Sequence, residues 1–197
     1  MSEYSLHIFK SYKQFNKLYE KGNIFCALDT ETTGLQSKTD KVIEIGAVKF
    51  SKNGITEYFS TLINPEMQIP PICAKISGIT NEMLKDKPFI YDILPDFLAF
   101  ISDTILVAHN AQFDLRFINE ELLRSNLAPL KNQAIDTLAF SRKVLPENKS
   151  WKQPVLAKQF NINIKSAHRA YDDARVCMEL FIKLLDLFSA QHQKTTI

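Results

Sequence analysis

The chain has 197 residues, 45% hydrophobic and 23% charged, which suits one well-buried domain and excludes a small scaffold that needs staples. Lys and Arg number 24 against 22 Asp and Glu, and the formal charge of +2 excludes both an acidic solvating tail and a histone-like polycation. Three cysteines, Cys26, Cys73 and Cys177, are too few and too widely spaced for a disulfide framework or zinc knuckle, and read as reduced thiols. The first residues lack a basic stretch followed by an apolar one, and no apolar run approaches the ~18 residues of a membrane span. A cytoplasmic protein with no membrane partner is expected.

Ser11 and Gln14 have capping-box spacing, and Tyr12, Phe15, Leu18 and Tyr19 recur at helical spacing until Gly22. A short helix therefore opens the chain. Residues 24–28 form a short continuous apolar run, as in a strand covered on both faces, and Thr32, Thr33 and Gly34 break it. A second strand is expected over 42–50. Lys52, Asn53 and Gly54 are a hairpin signal, and a third strand follows over 55–63 until Asn64 and Pro65. After Pro70 and Pro71, helices are expected at 81–84 and 91–101, a strand at 105–108 and a helix at about 113–124. A short strand at 134–135 and helices at 138–145 and 154–160 come next. From Tyr171 onward, Ala174, Cys177, Met178, Phe181, Ile182, Leu185 and Phe188 mark one long amphipathic helix. Three strands followed by alternating helices and strands imply one α/β domain, a mixed sheet flanked by helices. We place it at 23–190, after an N-terminal helical extension (1–22) and before a short tail (191–197).

Asp29 and Glu31 lie where the first apolar strand runs out, and a period of two puts both carboxylates on one side, Cα atoms about 7 Å apart. Paired hard oxygens at a strand end suit a divalent metal, although an isolated pair is more often a strand-ending turn. Asp114 belongs to the first turn of a helix that follows the strand at 105–108, with His109 and Asn110 between. Alone it reads as a favourable charge at a helix start. His168, Asp172 and Asp173 open the long final helix, bringing an imidazole suited to proton removal beside two acids.

Together these segments resemble the three motifs of the DEDDh 3′ to 5′ exonucleases: Asp29 to Leu35, His109 to Asp114, and His168 with Asp173 five residues later. They are most similar to the epsilon-type proofreading exonucleases of bacterial replicative DNA polymerase III. The phrases at 42–48, 77–80, 106–110 and 135–138 stand in that family's order, so the resemblance covers about 24–185. It implies a ribonuclease H-like fold and two divalent ions, Mg²⁺ or Mn²⁺, held by Asp29, Glu31, Asp114 and Asp173, with His168 as general base. It also implies Thr32, Leu35, Ile76, Ser77, Asn110 and Phe113 as contacts to the terminal nucleotide. The family spacing selects Asp173, leaving Asp172 as a solvated acid at the helix start whose loss is mild. His109 is assigned to scaffolding at the strand end, and Asp136 to an N-cap.

The implied activity is hydrolysis of single-stranded DNA from its 3′ end to nucleoside 5′-monophosphates, in proofreading or repair, with a polymerase partner supplied in trans. The alternatives are an exoribonuclease of the oligoribonuclease or RNase T-like kind acting on RNA, and a non-catalytic nucleic-acid-binding subunit, against which the five filled catalytic positions speak. Seven basic residues between 142 and 169 (Arg142, Lys143, Lys149, Lys152, Lys158, Lys165, Arg169) face a single acid, Glu147. They could track phosphates, with Trp151 as a stacking surface, or form an ordinary solvated face.

Overall fold

A computed structural model of the chain describes residues 5–9 and 11–193. Its elements are β1 (His7–Ile8), α1 (Tyr12–Glu20), β2 (Phe25–Thr32), β3 (Val42–Ser51), β4 (Gly54–Leu62), α2 (Pro71–Ser77), α3 (Asn81–Leu84), α4 (Ile90–Ile101), β5 (Ile105–Ala108), α5 (Gln112–Arg124), β6 (Gln133–Asp136), α6 (Thr137–Val144), α7 (Gln153–Gln159) and α8 (Ala170–Gln193). The strands form one sheet in the order β1-β6-β5-β2-β3-β4. The pairs β2–β3 and β3–β4 are antiparallel, whereas β5 lies parallel to β2 and to β6. The mixed α/β sheet expected from the element order is thus present.

The apolar run of β2 alternates between two cores. Phe25 and Ala27 pack with Phe50, Phe140 and the stripe of α8; Cys26 and Leu28 pack with Leu94, Phe97, Leu115 and Ile118 of α4 and α5. Helices cover both faces, which is why this strand shows no polar alternation. Beyond Leu28 the strand continues through Asp29, Thr30 and Glu31, because β3 keeps pairing with it up to Thr32 opposite Val42. The sequence signal stops at Leu28 because side-chain hydropathy changes there while the ladder does not.

Two elements were not expected. The two-residue β1 is too short to carry a period. α2 lies where Pro70 and Pro71 read as a break, yet Pro71 sits in its first turn, where the missing N–H costs nothing, and Gly78 at φ 70° ends it. The capping box at Ser11 does not form: Ser11 is the N-cap but its side chain makes no capping bond. α1 is held by packing, with Phe15 fully buried and Tyr12 stacked 4.8 Å from Phe140. With β1 paired to β6, the segment set apart as an extension packs on the same sheet. α8 continues to Gln193 rather than giving way to a tail at 191, and residues 194–197 lie outside the described residues.

α8 approaches β3 backbone to backbone. A Cβ at Gly46 would lie 2.1 Å from the carbonyl carbon of Ala170 and from the amide nitrogen of Tyr171. Gly46 pairs with Asp29 across the sheet, so this contact sets how near the start of α8 comes to the end of β2. Gly46→Ala should destabilise the protein by about 2 kcal/mol or more, because backbone rather than a flexible side chain must move. Urea unfolding measures this, and a loss below about 0.5 kcal/mol would show that the contact can relax.

Candidate active site

Two strand positions and two helix starts converge on one end of the sheet. Asp29 and Glu31 lie opposite Gly46 and Glu44 of β3, on the side of the sheet covered by α8. Thr30, between them, points to the other side, where α5 packs. There its N–H and hydroxyl both donate to Oδ1 of Asp114, at 2.9 and 2.8 Å. The acid in the first turn of α5 is therefore tied to the strand residue that separates the other two.

From the other face, α8 delivers Asp173. Its Oδ2 accepts the backbone N–H of His168 at 2.8 Å, which steadies His168 in a left-handed conformation at φ 59°. One ligand atom each from Glu31, His168 and Asp173 lie within 4.8 Å of one another. Asp29 and Asp114 stand outside that trio, joined to it through the register of β2 and the Thr30 hydrogen bonds. The helix start is fastened by Glu44, which is almost fully buried: its carboxylate accepts from the Ala170 N–H and from the guanidinium of Arg169, the shortest contact being 2.8 Å. Glu44 was missed in the sequence, although a lone acid within the otherwise apolar run 42–48 is the signal of a paired buried charge.

The comparisons with known proteins agree with this geometry. The sequence profile of the exonuclease family, RNase T type, matches residues 26–181. DNA polymerase III subunit epsilon of Treponema pallidum (strain Nichols) is 48% identical over 172 residues, covering 86% of this chain and 78% of that protein. The chain belongs to the RNase T exonuclease family. It is a 3′ to 5′ exonuclease with the ribonuclease H-like fold. A PolC-type DNA polymerase III of Caldanaerobacter subterraneus subsp. tengcongensis is 41% identical over 162 residues, 82% of this chain but only 12% of that protein's length. Among solved structures, exonuclease X in complex with 5′ overhanging duplex DNA matches with a TM-score of 0.66 and 29% identity, over 82% of this chain and 91% of that one.

The exonuclease crowds its acids. Burial, and then the charges of Asp114, Asp173, Glu31 and Glu44, hold Asp29 well above the usual carboxylate range. Burial, followed by Asp173, Glu44 and Asp114, pushes Glu31 up to about 8, with Arg169 opposing. Burial raises Asp114 to about 7 against the two Thr30 hydrogen bonds, and raises Asp173 against the His168 N–H. Four hard oxygen donors that repel one another, none of them in an ion pair among the described residues, fit divalent cations.

Asp172 departs from expectation. It is 4% exposed rather than solvated, accepting the N–H groups of Lys165 and Ser166 at 2.7 and 2.8 Å and pairing with Arg175 at 2.8 Å. Burial raises its carboxyl, but the Ser166 N–H, Arg175 and the Lys165 N–H outweigh burial and hold it below the usual range. It ties the loop before His168 to α8. His109 is scaffolding, as expected: Nδ1 lies 2.9 Å from the Thr137 hydroxyl and Nε2 2.9 Å from the Trp151 carbonyl. Burial holds this imidazole below its ordinary pKa. A neutral ring has one N–H; it must sit on Nε2, since a carbonyl only accepts, and Nδ1 then accepts from Thr137. Asp136 caps α6 through the Leu138 and Ala139 N–H groups and also takes the Asn110 N–H.

Of the residues assigned to the terminal nucleotide, Leu35, Asn110 and Phe113 line one cavity of about 350 Å³, with Arg116 and Phe117. Ile76 is exposed but does not line that cavity. The Thr32 hydroxyl donates to the Gly34 carbonyl. Ser77 is buried, its hydroxyl donating to the Cys73 carbonyl and accepting the Ile79 N–H, so this polar group is used inside the fold. In the basic run Arg169 is committed to Glu44; the other six side chains are exposed. Trp151 is only half-buried, with its Nε1–H donating to Leu145 and Arg142 over its ring.

Two outcomes are expected. Asp172→Ala should cost at least about 2 kcal/mol, because two backbone donors and a guanidinium lose their acceptor, and Asp173→Ala should cost less; urea unfolding in chelator giving the reverse ranking would refute the division of roles. Raised folded-state values mean that metal-free protein keeps protons the unfolded chain has released. Stability in chelator should therefore fall as pH rises from the ordinary carboxylate range, about 4, to about 8. A saturating divalent cation should flatten that slope, and a stability that instead rises over this window in chelator would show that the acids are not crowded.

Proposed function

We propose that this exonuclease shortens single-stranded DNA from the 3′ end in the cytoplasm, with two divalent ions, Mg²⁺ or Mn²⁺, held by Asp29, Glu31, Asp114 and Asp173. We infer further that it proofreads for a DNA polymerase carried on another chain. The observation that carries the reading is the meeting of Glu31, Asp173 and His168 beside Asp29, with Asp114 tethered through Thr30. The similarity to a polymerase III epsilon subunit supports the proofreading role.

Bound cations supply stabilisation of charge on the attacking and leaving oxygens. The chain's own groups do the rest. Thr30 fixes Asp114, and His168 is exposed with its backbone fixed by Asp173, so its ring can reach the attacking water and take its proton. As the new P–O bond forms, the bond to the 3′ oxygen breaks, releasing a nucleoside 5′-monophosphate and a strand with a new 3′ hydroxyl. Leu35 and Phe113 offer the terminal base apolar, sequence-tolerant contact in a cavity they share with Asn110, Gln112 and Arg116, while Thr32, Ile76 and Ser77 lie outside that lining. The exposed Lys149, Lys152, Lys158 and Lys165 give the strand's phosphates a basic rim.

The test is degradation of 5′-labelled single-stranded DNA and matched RNA with Mg²⁺ or Mn²⁺. DNA should yield a ladder shortening from the 3′ end, lost in excess chelator and lowered at least about a hundredfold in Asp29→Ala. His168→Gln should lose turnover and keep strand binding. Cleavage persisting in chelator would refute the metal-dependent mechanism, and faster degradation of RNA would make the chain an exoribonuclease.

A further inference from the structure

Asp173 is held by one more group, from outside the three motifs. Gln153 opens α7, and its side-chain Nε2–H donates both to the backbone carbonyl of Asp173 at 3.1 Å and to its Oδ1 at 3.3 Å. With Oδ2 accepting the His168 N–H, each carboxylate oxygen carries one fixed donor and retains a free lone pair. One amide thus fixes both the backbone and the plane of the carboxylate.

Gln153 is itself anchored. The carbonyl of Trp151, two residues earlier, accepts from His109 Nε2, and its indole N–H is bonded to Leu145. His109 follows β5 directly, in the turn that leads to Asp114. A chain of contacts therefore runs from β5 through His109, Trp151 and Gln153 to Asp173, linking the acid of α8 to the scaffold that places the acid of α5.

We propose that Gln153 is a positioning residue that presets Asp173 for cation binding. The inference rests on the reading of Asp173 as a metal ligand. An amide suits the task because it orients a carboxylate without adding charge: a lysine there would neutralise the negative charge the cation needs, and an apolar side chain would leave Oδ1 without its fixed donor. Groups that orient ligands in this way are typically worth about 10–100-fold in metal affinity or activity.

The experiment measures Mn²⁺ binding to the DNA-free protein by calorimetry, alongside the Mg²⁺ dependence of single-turnover cleavage. Gln153→Met, which keeps the side-chain length, should weaken Mn²⁺ about tenfold and raise the Mg²⁺ requirement to match, with the unfolding midpoint in chelator unchanged. Gln153→Asn keeps an amide but falls one methylene short, and should show the same loss. In an Asp173→Asn background the further effect of Gln153→Met should vanish. Wild-type Mn²⁺ affinity in both Gln153 variants overturns the proposal while leaving the exonuclease reading intact. A tenfold loss that persists undiminished in Asp173→Asn also overturns it, because the effect then bypasses Asp173. If Asp173→Asn alone leaves Mn²⁺ binding untouched, the ligand assignment fails and the inference with it.

Discussion

The contact between the start of α8 and the middle of β3 is the constraint on which the site depends. Backbone meets backbone at Gly46, at a distance that admits no Cβ, and Gly46 lies directly across from Asp29. Two residues along β3, Glu44 receives the first free N–H of the helix and the neighbouring guanidinium. Steric exclusion sets how close the helix comes; the buried Glu44 carboxylate, paired with the half-exposed Arg169 at the helix N-terminus, sets where along the strand it sits. Asp173 and His168 then arrive within 4.8 Å of Glu31 on β2, carried there by the packing behind them.

The charge pattern separates structure from chemistry. Glu44, Asp172 and Glu121 are all buried, and each has an arginine: Arg169, Arg175 and Arg124. Asp29, Glu31, Asp114 and Asp173 have none among the described residues; what holds them is neutral, namely Thr30, the His168 N–H and the Gln153 amide. A buried acid with a fixed cation is satisfied and inert. Acids gathered without one raise one another's proton affinity, and under the proposed function a divalent ion relieves that repulsion. His109 is likewise kept neutral by burial, its ring engaged by the Thr137 hydroxyl and the Trp151 carbonyl.

This division was only partly legible in the sequence. The elements 81–84 and 105–108 coincide with α3 and β5, and the amphipathic stripe of α8 faces the core, because local signals and tertiary packing agree there. The three motifs stood at strand and helix ends, where side chains from distant segments can meet. Asp172 and Asp173 could not be told apart by local pattern: both open the same helix, and what separates them is the loop that folds back over one of them, bringing the Lys165 and Ser166 N–H groups and Arg175 to Asp172. Glu44 shows in the sequence only as a lone acid in an apolar run and Gln153 by no local sign, since their partners lie 125 and 20 residues away. Ser77 carried a polar group that the fold uses internally, which residue type alone does not reveal.

The proposed function asks the loop that bears Leu35 to receive a strand of any sequence. Leu35 is 84% exposed, an unfavourable place for a leucine, yet the loop bearing it is tightly braced. Arg124 donates to the carbonyls of Ser37 and Asp40, the Gln36 N–H reaches the Asp40 carboxylate, and Lys41 bonds the Thr33 hydroxyl. At Gly34 the Asp40 carboxylate lies where a Cβ would be, so a larger residue there would have to displace that side chain from the Gln36 N–H. The exposure of Leu35 is thus imposed by the fold. A base laid against it gains apolar contact without paying to order the loop, and such contact discriminates little among the four bases. Under the proposed function, selectivity for the 3′ end lies in the acids and the cations they hold, and Leu35 and Phe113 add a preformed apolar contact that is indifferent to sequence.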